Sequence, residues 1–206
     1  MPTATSRSTP TSGSSEKSRE VYELIVIGTS WGGIAAVGRL LDGLHDDVHQ
    51  PIVIAQHRSA DLSGGGLAEL LSHRTRRVVS DPDDKTPLEP DHVYLAPADY
   101  HALVDGGRLA LSTEGPVQYA RPSIDVLFES VADAYAERAV GIVLTGANAD
   151  GARGLALIKS RGGVAVVQDP ATSEKRAMPD AALAATDADA VLPLEEIPSF
   201  LYGLCA

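Results

Sequence analysis

The stretch LIVIGTSWGGIAAVGRLL, residues 24–41, decides the fold. Its first residues form an apolar, β-branched run typical of a buried strand, and its second half has the pattern of a helix. Between the two lies a turn of small residues around Ser30 and Trp31. Such strand–turn–helix junctions bind phosphate groups in some proteins, present a nucleophile in others, and are simply tight turns in the rest.

Further apolar runs follow along the chain, at 51–56, 93–97, 139–146, 163–168 and 189–194. Most are continuous rather than alternating, which is typical of strands buried on both faces. Helical patterns lie between or after them, at 33–43, 64–73, 123–137, 152–161, 178–185 and 195–202. This alternation predicts an α/β fold with a doubly wound, mostly parallel sheet flanked by helices. Asp105-Gly106-Gly107 interrupts the alternation and predicts a small antiparallel hairpin over 101–113.

The composition limits the classes of function. The chain has 206 residues and a formal net charge of −11, which argues against a nucleic-acid partner because such binders present basic patches. The main basic cluster, residues 73–79, is interpreted as a solvated helix end. No apolar run reaches the roughly 20 residues that span a bilayer, so membrane insertion is not expected.

The two ends of the chain carry further information. Residues 1–20 are rich in Ser, Thr and Pro, and we expect a disordered polar tail followed by one domain over 21–206. The tail lacks the apolar core of a secretory signal. Cys205 is the single cysteine and lies next to the C-terminus. A single cysteine excludes an internal disulfide and fits a reducing cytoplasm. Its position at the end of the chain makes it a poor candidate nucleophile.

The turn after the first strand satisfies G-x-S-x-G, with Ser30 at its centre. A strand before it and a helix after it are the context of a nucleophile elbow. The free N–H groups and the dipole of the helix N-terminus could stabilise an oxyanion. A dinucleotide cradle needs glycine where Ser30 stands and an acidic residue after the next strand, where Gln56 and His57 stand instead. A tight turn without chemistry remains open on this motif alone.

Two other strand ends carry residues that could complete a catalytic triad. His57 follows the second apolar run and could act as the base for Ser30, although a histidine there could also simply cap the strand. Asp150 follows the run at 139–146 and could orient the imidazole, or could be only a helix N-cap. The chain order Ser…His…Asp differs from the order in α/β-hydrolases, which disfavours an ordinary lipase or esterase fold.

Several blocks, in this order, resemble the CheB family of chemotaxis protein-glutamate methylesterases over residues 22–202. They are GTSWGG around Ser30, AQH at 55–57, VYLAPADYH at 93–101, ARPSIDVLFESVA at 120–132, VGIVLTGANADGARG at 140–154 and MPDAAL at 178–183. The resemblance implies a doubly wound α/β catalytic domain in which Ser30 is the nucleophile, His57 the base and Asp150 the orienting carboxylate. It also implies hydrolysis of glutamate γ-methyl esters on chemoreceptors with release of methanol, and deamidation of particular glutamines. No metal or organic cofactor is implied, and we expect a monomer.

Three departures from the family pattern bear on specificity and regulation. The receiver domain of the usual member is not expected before this catalytic domain, so phosphorylation in cis would not control it. Trp31 stands where threonine is common, and Ala147 stands where methionine is common; the backbone amides persist at both positions as oxyanion donors. Arg121 resembles a cleft residue that could meet an acidic substrate, or could form a structural salt bridge. His101 is a weaker candidate and is interpreted as a loop or edge-strand residue.

Three functions therefore stand beside one another at the level of sequence. The leading hypothesis is a serine esterase acting on protein glutamate methyl esters. The alternatives are a CheB-like interaction or regulatory module without activity, and a serine hydrolase or deamidase with another ester or amide substrate. A nucleotide-binding domain has little support.

Overall fold

The computed structural model describes residues 22–58 and 66–206. Seven strands form one sheet: β1 (Leu24–Thr29), β2 (Ile52–Gln56), β3 (Val78–Ser80), β4 (His92–Leu95), β7 (Ala139–Val143), β8 (Val164–Gln168) and β9 (Ala190–Leu192). Their order is β3-β4-β2-β1-β7-β8-β9, and every neighbouring pair is parallel. A separate antiparallel pair joins β5 (His101–Asp105) to β6 (Arg108–Ser112).

Helices cover both faces of the sheet. They are α1 (Gly33–Gly43), α2 (Gly66–Ser72), α3 (Ile124–Tyr135), α4 (Ala152–Ser160), α5 (Ala177–Ala185) and α6 (Ile197–Cys205). Side chains of α1, α2 and α6 pack on one face, whereas α3, α4, α5 and the hairpin pack on the other. Successive residues of β1 serve the two cores in turn, because Ile25 and Ile27 face the first and Leu24 and Val26 the second.

The direction of winding reverses at the centre of the sheet. The chain passes from β1 through β2 toward β4 on one side, and later returns through β7 toward β9 on the other. The crevice beyond the carboxyl ends of β1 and β7 is therefore the switch point at which ligands bind in open α/β sheets.

The predicted fold class and the hairpin at 101–113 are both confirmed. One strand, β3, was not predicted. The interpretation of residues 73–79 as a solvated helix end is wrong for Arg77, which is 7% exposed and donates to the carbonyls of His45 and Val48. The predicted polar tail, residues 1–20, lies outside the described residues.

The C-terminal helix buries the single cysteine in part. Cys205 packs against the core on the α1 side, and burial raises the pKa of its thiol to about 11. Across the described residues, no helix is both long enough and apolar enough to span a bilayer.

Candidate active site

The three residues predicted as a triad follow three neighbouring strands of the sheet. Ser30 comes directly after β1, His57 directly after β2, and Asp150 ends the loop after β7. Because these strands are adjacent and parallel, their carboxyl ends meet at one edge. Gly28 pairs with Ala55 and Thr29 with Gln56, so Ser30 and His57 stand one step beyond the last pair.

The turn that carries Ser30 is held by backbone hydrogen bonds on both sides. The Ser30 N–H donates to the Thr145 carbonyl at 3.0 Å, and the Ser30 carbonyl accepts from the Gly33 N–H at 3.0 Å. The left-handed backbone of the turn falls on Gly32, with φ 77°, and not on the serine. The turn therefore presents Ser30 at the start of α1 without straining the residue that carries the hydroxyl.

Gln56 connects the segment that carries Ser30 to the segment that carries His57. Its Nε2 donates to the Ser30 carbonyl at 2.8 Å and to the His57 carbonyl at 3.0 Å. The His57 N–H also donates to the Thr29 carbonyl at 3.1 Å. These bonds fix the backbone of both predicted catalytic residues, and sequence reasoning did not identify Gln56 in this role.

Asp150 contacts the imidazole of His57 directly. Its Oδ2 lies 2.8 Å from His57 Nε2, and the Asp150 side chain is fully buried. Burial acts to raise the pKa of Asp150, but hydrogen bonds from His57 and from the amides of Asp125 and Ile124 together outweigh it and hold that pKa below its usual range. The carboxylate is therefore ionised at neutral pH and accepts a hydrogen bond from the His57 Nε2–H.

The alternative that Asp150 is only the N-cap of the following helix is wrong. The N-cap of α4 is Gly151, and no side chain caps it in that position. Asp150 instead receives the first amides of α3, at 2.7 Å from the Ile124 N–H and 2.9 Å from the Asp125 N–H, and the Ser123 hydroxyl at 3.0 Å. A helix N-terminus favours a negative charge at this place.

Asp125 accepts hydrogen bonds from the start of α4 in the same way. Its Oδ1 accepts from the Gly151 N–H at 3.0 Å and from the Gly154 N–H at 2.8 Å, while Oδ2 accepts from Gln118 at 2.9 Å. The side chain is fully buried, and this burial raises the pKa of Asp125. The starts of α3 and α4 are thus held by each other's aspartates. Asp150, in the loop before α4, accepts from the first amides of α3, and Asp125, in the first turn of α3, accepts from amides at the start of α4.

A buried histidine supports this arrangement from behind. His101, predicted as a loop or edge-strand residue, lies on β5 but is buried. Its Nδ1 accepts from the Ser123 N–H at 3.1 Å, and its Nε2 lies 3.1 Å from the Gly115 carbonyl. His101 therefore fixes Ser123, the N-cap of α3, whose hydroxyl in turn donates to Asp150.

Trp31 points along the surface toward the loop before α5. The side chain is 61% exposed, its Nε1–H donates to Glu174 at 2.8 Å, and the Lys175 ammonium lies 5.7 Å from its ring centre. Its carbonyl accepts from the Thr145 hydroxyl at 3.0 Å. Within the described residues, the backbone N–H groups of Trp31 and Ala147 donate to no protein acceptor, and their role as oxyanion donors stays a prediction.

Arg121 forms a salt bridge with Asp99, which is one of the two roles predicted for it from the sequence. Its Nε lies 3.0 Å from Asp99, and its Nη1 donates to the carbonyls of Thr113 and Glu114 at 2.9 Å each. It also lines a cavity of about 560 Å³ beside His57 and Asn148. The substrate role of Arg121 stays a prediction.

A groove between α1 and α2 meets the predicted triad at one end. Its volume is about 730 Å³, and both Ser30 and His57 line it. Ile34 and Leu70 are exposed apolar residues on its walls. Among the hydrogen bonds of residues 22–58 and 66–206, none joins the Ser30 hydroxyl to His57. The structure therefore brings Ser30 and His57, the predicted nucleophile and base, to one groove, and Asp150 contacts the imidazole of His57.

Comparison with known proteins decides the family. The family profile described as CheB methylesterase matches residues 25–201. The chain belongs to this family. A chain of Leptospira interrogans, whose provisional name is protein-glutamate methylesterase/protein-glutamine glutaminase, is 44% identical over 184 residues, which is 89% of this chain and 95% of the relative.

Two further matches agree with this membership. A protein-glutamate methylesterase/protein-glutamine glutaminase of Anaeromyxobacter dehalogenans is 41% identical over 182 residues, or 88% of this chain and 53% of the relative. The crystal structure of the Thermotoga maritima CheB methylesterase catalytic domain superposes with a TM-score of 0.83 and 28% identity, over 89% of this chain and 98% of that one. The resemblance stated from the sequence is thereby confirmed, and so is the classification of the chain as an enzyme of the methylesterase class.

Proposed function

We propose that this chain hydrolyses glutamate γ-methyl esters on chemoreceptor proteins in the cytoplasm, with Ser30, His57 and Asp150 as its catalytic triad. The observation that carries the proposal is the 2.8 Å contact between His57 Nε2 and the buried Asp150, beside Ser30 at the same sheet edge. Several relatives, among them the Anaeromyxobacter protein, carry methylesterase and glutaminase in their names.

In the acylation step, the Ser30 hydroxyl attacks the ester carbonyl and its proton passes to His57 Nδ1. Asp150 accepts from Nε2–H and stabilises the positively charged ring. The oxyanion accepts hydrogen bonds from the N–H groups of Trp31 and Ala147, which have no protein acceptor among the described residues. Collapse of the tetrahedral intermediate breaks the C–OCH₃ bond, and the Nδ1 proton leaves with methanol.

In the deacylation step, water replaces methanol in the same place. His57 takes one water proton as the oxygen attacks the acyl-Ser30 carbonyl, and then returns that proton to the Ser30 oxygen. The product is an unmodified glutamate and the free enzyme. An amide in the same position would lose ammonia instead of methanol, so one site serves glutamine deamidation as well.

The test is methanol release from a methylated receptor by wild type and by Ser30→Ala. The matched control is Ser160→Ala, which removes an exposed serine hydroxyl at the far end of α4. We expect Ser30→Ala to abolish methanol release and Ser160→Ala to leave it unchanged. Equal rates for wild type and Ser30→Ala would refute the triad.

The same experiment separates the alternative functions. Hydrolysis of a small ester, but not of any methylated receptor, would favour a serine hydrolase with another substrate. A folded wild-type protein without activity on either substrate would favour an interaction module.

A further inference from the structure

Both ring nitrogens of His57 are engaged in this structure. Nε2 contacts Asp150 at 2.8 Å, and Nδ1 lies 3.2 Å from Nδ2 of Asn148. Asp150 is ionised and accepts only, so the proton of a neutral imidazole sits on Nε2. Nδ1 then carries the lone pair, which makes it the nitrogen that must receive the Ser30 proton.

The orientation of the Asn148 amide follows from its second contact. Its Oδ1 accepts from the Asp150 N–H at 3.2 Å, which assigns the oxygen to that side of the amide. The Nδ2 group therefore faces His57 and donates to the lone pair of Nδ1. The nitrogen that the mechanism needs as a base is thus occupied by a protein donor.

We propose that Asn148 is a latch on the base of the resting enzyme: its side-chain amide occupies His57 Nδ1, and the bound ester displaces it so that Ser30 takes its place. The inference rests on the proposed function, because it assumes that Nδ1 receives the Ser30 proton. It accounts for the lack of a Ser30–His57 hydrogen bond among the described residues. Asn148 is a positioning residue in this scheme, since it acts on the reaction only through His57.

The surroundings allow the latch to open. Asn148 is exposed, and it lines the cavity of about 560 Å³ that also borders His57, Arg58 and Arg121. Its contact with Nδ1 is a long hydrogen bond between neutral groups, and such a bond shifts an equilibrium by about tenfold at most. The amide can therefore turn into this cavity by giving up its long hydrogen bond from the Asp150 N–H, while α3 continues to hold the Asp150 carboxylate.

The test is the rate at which phenylmethylsulfonyl fluoride modifies Ser30, followed by mass spectrometry. This reagent needs an activated serine but carries no receptor segment that could displace the latch. We expect Asn148→Ala to react up to about tenfold faster than wild type, because Nδ1 is free. Asn148→Asp should react more slowly than wild type, because its carboxylate keeps a proton on Nδ1 while it can still accept from the Asp150 N–H.

A merely structural role predicts no such opposite effects. Reaction of Asn148→Ala at the wild-type rate or below would overturn the latch, while modification of wild-type Ser30 would leave the triad standing. Absence of Ser30 modification in every folded variant would overturn the triad and the latch together. The ¹⁵N resonance of His57 Nδ1 gives a second readout, and we expect it to move toward that of an unbonded imidazole nitrogen in Asn148→Ala; an unchanged resonance would contradict the proposal.

Discussion

Asp150 both stabilises the start of α3 and contacts the imidazole of His57. Replacing it by asparagine affects these two contacts differently. The carboxylate uses both oxygens: Oδ1 receives the Ser123 hydroxyl and the Asp125 N–H, while Oδ2 receives the Ile124 N–H and the imidazole. Asparagine has one acceptor oxygen, so either orientation turns an NH₂ group toward a backbone N–H. One buried donor without an acceptor costs about 1–3 kcal/mol in the free energy of unfolding.

The effect on activity is expected to be larger. In either orientation the neutral amide lacks the negative charge that stabilises the protonated imidazole. With its nitrogen at the Oδ2 position, the amide also favours the tautomer whose proton sits on Nδ1, which cannot then receive the Ser30 proton. In the Ser-His-Asp template, the same exchange lowers kcat by about 10⁴-fold. We expect a fall of that order for Asp150→Asn, measured as methyl-ester hydrolysis alongside urea unfolding.

Asp125→Asn is the matched control. This residue is also a buried aspartate at a helix N-terminus, but both of its backbone donors go to Oδ1, and Oδ2 faces only a Gln118 amide that can turn over and a distant Arg153. An asparagine keeps Oδ1 as the acceptor, so we expect activity within a few-fold of wild type. Folded Asp150→Asn with kcat within about tenfold of wild type would refute the reasoning, and so would an equal loss of activity in Asp125→Asn.

Three further predictions rest on single side chains. Gln56→Glu should lower both kcat and the free energy of unfolding, the latter by about 1–3 kcal/mol, because a carboxylate cannot donate to the carbonyls of Ser30 and His57; kinetics and urea unfolding that match wild type would contradict this. Because burial raises the pKa of Asp125, its stabilising contribution is complete below the unfolded pKa of about 3.9 and is lost as pH rises through the folded pKa. The unfolding free energy of Asp125→Asn relative to wild type should therefore increase across that pH window, and a flat difference would count against the assignment. With a pKa of about 11 in place of 9.0, Cys205 should carry about 100-fold less thiolate at neutral pH and react with iodoacetamide correspondingly more slowly than a cysteine peptide; equal rates of alkylation by mass spectrometry would disprove it.

Most of the sheet was predictable because its strands are continuous apolar runs between helical patterns. The prediction failed in two places: where a strand is very short, and where a strand ends before its apolar run does. Strand β3 has only Val78–Ser80 and follows a run of basic residues, so its pairing with β4 depends on tertiary context. The run at 139–146 leaves the sheet after Val143, and the Thr145 N–H bonds to the side chain of Gln168 instead.

The proximity of the candidate site residues was predictable, because the carboxyl ends of adjacent parallel strands meet at one edge of the sheet. Ser30, His57 and Asp150 each follow a strand, and their proximity needs only the order of the sheet. The roles of Gln56 and Asn148 depend on hydrogen bonds between separate segments, for which no spacing in the sequence gives a pattern. The only signal for Gln56 in the sequence is its position at the end of a strand, which by itself argues only against a dinucleotide cradle.

The exchange of carboxylates between α3 and α4 makes the site part of one cooperative folding unit. Asp150 belongs to the entry of α4 but closes the start of α3, and Asp125 does the reverse. Fraying of either helix start would release the partner helix and, through Asp150, the imidazole of His57. We therefore expect native-state hydrogen exchange at the two helix starts to occur through a single opening event, which would also release His57 from Asp150.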